Sequence, residues 1–192
     1  MKHKASRDLY AYWEAQRGRR PAPERSEIEP GAIRHVLSEA FILALDAGTG
    51  HPFRLAGTRL CALFGRELKG ETFVGLWAAA SQRTICDLLA ILLDEWVGTV
   101  AAATAHNGAG EAIDLELLLL PLGAGRPQLA RAIGVLAPLR DVPWLGTDAI
   151  GALTLGSRRH VGAAITTRFT PRFMARRRRG GLVVHEGGRS GL

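Results

Sequence analysis

The sequence predicts an α+β domain: a five-stranded antiparallel sheet with helices on one face, preceded by a separate N-terminal helix. Three observations carry this. Helical periodicity is concentrated in two stretches, residues 6–17 and 82–97. Strand-like alternation falls into two groups, a hairpin before the long helix and a three-strand meander after it. Grouped strands, rather than strands alternating with helices, favour an antiparallel sheet. Between the groups lies the stretch 51–76, HPFRLAGTRLCALFGRELKGETFVGL, which reads as strand, glycine turn, compact helix and second turn.

In the first helix, 6–17, Ser6 can cap the start and Asp8 suits the positive end of the helix dipole. Leu9, Tyr12, Trp13 and Gln16 share one face. A helix this short is marginal alone in water, so it needs a surface, from its own domain or from a partner. Gly18 ends it, and residues 19–29 form a polar, proline-containing connector. Pro30 can begin a short helix with Ile33, Val36 and Leu37 on its apolar side. Residues 39–46, EAFILALD, alternate as a strand, and the turn DAGTGHP leads to a returning strand at 53–56. Gly57 and Gly65 bracket a compact helix, and 73–77 is a short apolar helical or irregular segment.

Ser81 is positioned to cap the main helix, where Ile85, Leu88, Leu89, Leu92 and Trp96 recur at helical spacing until Gly98. Three strands follow. The first, 99–105, is built almost wholly of small residues, and Asn107-Gly108 marks the hairpin after it. In the second, 111–120, Ile113, Leu115, Leu117 and Leu119 alternate with Asp114 and Glu116, and then Leu118 and Leu120 make the far end apolar on both faces. The third, 129–138, carries Leu129, Arg131, Ile133, Val135 and Ala137 on one face. Residues 149–155 can add a short extra strand, and from Ser157 the pattern dissolves.

The net charge of +7 is unevenly placed. Residues 1–156 carry 16 Lys+Arg against 17 Asp+Glu, whereas 157–192 carry nine Arg against Glu186 alone. The domain is therefore near neutral, and nucleic-acid binding cannot be argued from its pI. The expected organisation is an N-terminal helix and linker at 1–29, a domain at 30–156 and a basic, largely disordered tail at 157–192. Cys61 and Cys86, in apolar surroundings, form no CxxC or metal pattern and read as buried free thiols of a reducing cytoplasm. The N-terminus lacks the apolar run of a secretory signal, and no apolar stretch reaches the ~20 residues of a membrane span. No nucleophile–His–acid arrangement, P-loop, glycine fingerprint or metal-spaced His/Cys cluster occurs, so no catalysis is expected.

With the element order in hand, the chain resembles the PAS domains. The run Phe64-Gly-Arg-Glu-Leu-Lys-Gly after the second strand carries much of the likeness, together with the long helix and the meander. It is similar in particular to an alphaproteobacterial PAS subfamily, formerly a domain of unknown function. That likeness rests on the Leu9–Trp13 helix, the GRRPAP linker and the Phe53–Thr58 core, and it covers roughly 7–140. The resemblance implies a stand-alone sensory or regulatory module acting by protein–protein interaction, or with itself, in bacterial signal transduction. The alternative it leaves open is a sensor with a small metabolite in the core.

The resemblance also frames the cofactors. Haem would call for an axial histidine on the long helix, which has none, and a photoreactive flavin for an Asn-Cys-Arg setting that neither cysteine has. Neither is expected. The small side chains of 99–105 leave space that close packing or a ligand can fill. Residues expected beside a ligand are Cys61, Phe64, Trp77, Leu92 and Trp96, with Arg131 meeting an anion or else pairing with Glu116 across the meander. Leu9, Tyr12 and Trp13 are the expected dimer or partner contact. Nucleic acid or an anionic membrane would engage only Arg176, Arg177, Arg178 and Arg179, with Phe169, Phe173 and Met174 as apolar anchors; a solubilising tail is the simpler reading.

Overall fold

The computed structural model describes residues 1–123 and 130–162. The arginine run and its apolar neighbours, and Leu129, lie outside the described residues. The elements are α1 (Lys4–Arg17), β1 (Ala40–Ala44), β2 (Phe53–Ala56), α2 (Thr58–Phe64), α3 (Ala79–Glu95), β3 (Gly98–His106), β4 (Ala112–Leu122), β5 (Arg131–Pro138) and β6 (Thr154–Val161). The strands form one antiparallel sheet in the order β2-β1-β5-β4-β3-β6. Among the described residues no helix is long and apolar enough to cross a membrane.

The α+β grouping and the hairpin-plus-meander order stand. The sheet has a sixth strand, however, and β6 runs past the expected boundary at 156. It pairs with β3 from Gly98↔Val161 to Thr104↔Thr154, with a bulge where Ala101 gives way to Ala103. Polar residues such as Ser157, Arg158 and Arg159 do not announce a strand, because an edge position asks nothing of their side chains.

Helices also cover both faces of the sheet, not one. On the inner face α2 and α3 bury Phe41, Leu43, Leu115, Leu117, Leu119 and Leu136 with their own Leu63, Ile85, Leu89 and Leu92. On the outer face α1 and residues 28–36 bury Ile42, Leu118, Leu120, Leu122, Ile133 and Val135. The far end of β4 is apolar on both sides because it has a core on each side. Each fully buried Leu or Phe contributes about 1.5–3 kcal/mol, so the second face is a core in its own right.

Two glycines are required by close approach. A Cβ on Gly57 would stand 2.2 Å from the carbonyl oxygen of Leu37 and 2.3 Å from that of Ser38. That proximity lets the first turn of α2 donate Arg59 and Leu60 N–H groups to Ser38 O at 2.9 and 3.1 Å. On β5, a Cβ at Gly134 would meet Phe41 Cζ and Leu118 O, both at 2.4 Å. The missing side chain makes room for the Phe41 ring at the heart of the inner core.

The caps differ from expectation. His3, not Ser6, caps α1, its Nδ1 accepting from Ala5 N–H at 3.2 Å. Ser81 lies inside α3, whose cap position is Ala78, and its Oγ accepts the Leu155 N–H at 3.0 Å, tying helix to β6. Asn107 does hold its turn, with Oδ1 accepting from Ala109 and Glu111 N–H groups at 3.1 and 2.8 Å.

Candidate functional site

The inner core is organised by four aromatic rings. Phe41, Phe53 and Phe73 lie with mutual centroid distances of 5.6–5.7 Å, and Trp77 meets Phe73 edge-on at 5.9 Å. Phe64, Trp77 and Leu92 belong to this core, and Ala101, Ala103 and Ala105 face into it from β3. Cys61 sits at its margin, with Sγ 3.5 Å from Glu67 Oε1; burial pushes its thiol up from the ordinary range. Cys86, expected to be buried, is exposed on α3, because it falls off the apolar stripe of that helix. The Trp77 indole N–H is buried and finds no acceptor among the described residues.

Trp96 and Arg131 do not join the other four. Trp96 ends α3 in a left-handed conformation, φ 56°, and packs against the outer core. Arg131 opens β5 opposite Ala44 and Leu122, on the same strand face as Ile133 and Val135, which places it on the outer side. Its Nη1 donates to Ala130 O at 3.0 Å. Burial, and the Arg54 charge nearby, lower its pKa.

The expected Glu116–Arg131 pair is absent. Glu116 lies opposite Ala102 and Ala137 in the ladder, far along β4 from Leu122, the partner of Arg131. Its carboxylate instead accepts the backbone N–H groups of Lys2 at 2.6 Å and His3 at 3.0 Å. Burial opposes its charge, but these two donors prevail and hold it below the ordinary carboxylate range. Glu116 thus anchors the positive end of α1 to the sheet. The sequence signal was there: an acid on the strand face that also carries Leu118 and Leu120 needs donors.

Leu9 and Trp13 are both 1% exposed, packed on the outer sheet face of their own chain. Trp13 Nε1 donates to Pro121 O at 2.8 Å, and the Arg17 guanidinium lies 5.2 Å from the Trp13 ring centre. Half-buried Tyr12 donates to Glu27 O at 3.3 Å and accepts from Glu29 N–H at 2.9 Å, tying α1 to the connector. In this arrangement the three expected partner residues serve an interface within the chain, and Leu9 and Trp13 have no free surface.

Two surface features were not legible beforehand. An apolar groove of about 290 Å³ lies between Ile28, Pro30 and Ile33 on one side and Ile42, Leu55 and Ala56 on the other. Leu55, on the edge strand β2, is 41% exposed. At the opposite edge, Lys2, Arg158 and Arg159 line a groove of similar size beside β6. Among the described residues no group of His, Cys, Asp and Glu could hold a metal ion.

A six-stranded antiparallel sheet with short helices and one long helix on its inner face is the α+β, hairpin-plus-meander class of domain that the element order implied. The model of the PAS domain family matches residues 1–137, and the chain belongs to that family. The matched span takes in α1 and ends before β6. PAS domains are non-catalytic sensory and regulatory modules, which gives this domain its general role. No curated protein matches the chain.

Proposed function

We propose that this PAS domain regulates by protein–protein contact in bacterial signal transduction, through α1 and the sheet face it covers. The observation that carries the reading is how α1 is held. It is joined through a single connector and seated by the side chains of Leu9 and Trp13, one indole hydrogen bond and the Glu116 anchor. A second copy presents the same sheet face, so α1 can exchange between copies while keeping its contacts with that face. Tyr12, at the hinge-side margin, then becomes part of the shared surface. The Leu9–Trp13 helix, the GRRPAP linker and the Phe53–Thr58 core together support placement in the alphaproteobacterial subfamily, and a cytoplasmic setting fits the two free thiols.

The test is isotope-filtered NMR on a mixture of labelled and unlabelled full-length chains. Exchange gives cross-peaks between Trp13 of a labelled chain and β4 of an unlabelled one. A dimer without such cross-peaks, or a monomer at millimolar concentration, sinks the α1 assignment.

A metabolite sensor is the second reading, favoured by the buried Trp77 N–H, which has no acceptor among the described residues. A ligand carbonyl or carboxylate among Cys61, Phe64, Trp77 and Leu92 would supply one. Native mass spectrometry of protein from its own host decides this: a fixed added mass supports the sensor, and a bare chain mass rejects it. Neither haem nor flavin is proposed, and neither is binding through the arginine run.

A further inference from the structure

We propose that the outer edge of β6 is a docking edge that takes an extended, acidic segment of another protein as a seventh strand. β6 closes one side of the sheet, and among the described residues no strand pairs with its outer edge. Residues 156–160 are all exposed, so this stretch of the strand offers its outward-facing backbone donors and acceptors to an incoming chain. Its start is covered: Leu153, just before it, exchanges hydrogen bonds with Leu76 and Ala78, and Ser81 takes the Leu155 N–H.

The charge pattern selects the occupant. Arg158 and Arg159 are adjacent, so strand alternation places one on each face of the edge. Neither belongs to the ion pairs formed among the described residues. Lys2 lines the same groove. Glu116, the acid in that groove, is already engaged by two N–H donors. A second copy fits poorly, because β6 paired with β6 about a two-fold axis would set arginine against arginine. The chain's own continuation fits no better, since 163–192 holds seven arginines and one acid. An acidic strand from a different protein satisfies both the ladder and the charges. β6 lies beyond the span matched by the family model. The inference rests on the reading of the domain as a protein-contact module, but not on α1.

The test uses full-length chain and a capped synthetic octapeptide alternating glutamate and valine, followed by amide NMR at low salt. Expected are shifts confined to residues 156–161 and to β3. The affinity should fall at least tenfold with R158E/R159E, and likewise when alternate peptide nitrogens are methylated, which blocks pairing and keeps charge. The same peptide with lysine for glutamate should not bind. Both arginines are exposed, so an unchanged spectrum elsewhere certifies the variant's fold. Equal binding of the methylated peptide, indifference to R158E/R159E, or shifts centred on Leu55 or α1 would overturn the proposal. So would protection from hydrogen exchange, without peptide, of the β6 amides between 156 and 160 that face away from β3, which would mean that the chain or a second copy covers the edge. Loss of α1 exchange with peptide binding intact rejects the α1 assignment alone; the reverse rejects the β6 edge alone.

Discussion

Replacing Glu116 with Gln tests the anchor that joins the start of α1 to the centre of the sheet. The side chain keeps its size, but it loses its charge and can accept from one N–H group where the carboxylate accepts from two. A hydrogen bond to a charged group contributes about 1.5–3 kcal/mol, and the helix-end charge adds about 0.3–1 kcal/mol. The Lys2 and His3 amides can reach water once released, so the lower end applies and the expected loss is about 2 kcal/mol. For a domain of this size, 1 kcal/mol moves Tm by about 2–4 °C, which gives a fall of about 4–8 °C. The pH dependence has a definite sign. A carboxylate whose folded pKa is depressed stabilises above its ordinary range, and that contribution is lost as pH falls through the folded value. The wild type should therefore lose the difference in strongly acidic solution and converge on E116Q. Calorimetry from pH 7 down to pH 3, with hydrogen exchange read along α1, is the assay; the exposed Glu95→Gln is the control. An E116Q variant melting within about 1 °C of wild type at pH 7, with α1 equally protected, would refute the anchoring role.

Two further outcomes follow from the packing. Gly57→Ala forces a Cβ onto the Leu37 and Ser38 carbonyls at 2.2 and 2.3 Å, so the start of α2 must move away from the sheet. A loss of about 3 kcal/mol or more is expected in urea unfolding, and a loss under 1 kcal/mol would contradict the close approach. His51 is 4% exposed, has φ 58°, and its Nδ1 has no partner among the described residues. Burial lowers its pKa, with Asp46 opposing, so neutral His51 stabilises and the contribution is lost as pH falls through the folded value. His51→Asn tolerates the left-handed backbone and does not titrate. Wild type should lose stability relative to H51N between pH 7 and pH 5, and parallel stability curves would reject the assignment.

Much of the fold was legible because it is written locally. Period-2 alternation in 111–120, helical spacing in 82–97 and the glycines at 57 and 65 each act within a few residues. Phe64, Trp77 and Leu92, expected near one another, lie in the inner core. The candidate site was less legible. Trp96 falls on the inner stripe by helical spacing, but α3 stops at Glu95 and the left-handed turn carries the indole to the other side. Arg131 and Glu116 stood on facing strands, but the register sets them at different heights.

The sequence by itself determined the class: grouped strands, one long buried helix and the glycine punctuation allow little besides an α+β domain with an antiparallel sheet. Only the tertiary structure decided what covers the second face, what Glu116 holds and where the sheet ends. Those outcomes depend on residues far apart in the chain: Lys2 meets Glu116 across 114 positions, Trp13 meets Pro121 across 108, and Thr99 meets His160 across 61. Local periodicity fixes which side of an element is apolar. Which other apolar side it meets is chosen by the burial and hydrogen-bond satisfaction of the whole assembled chain.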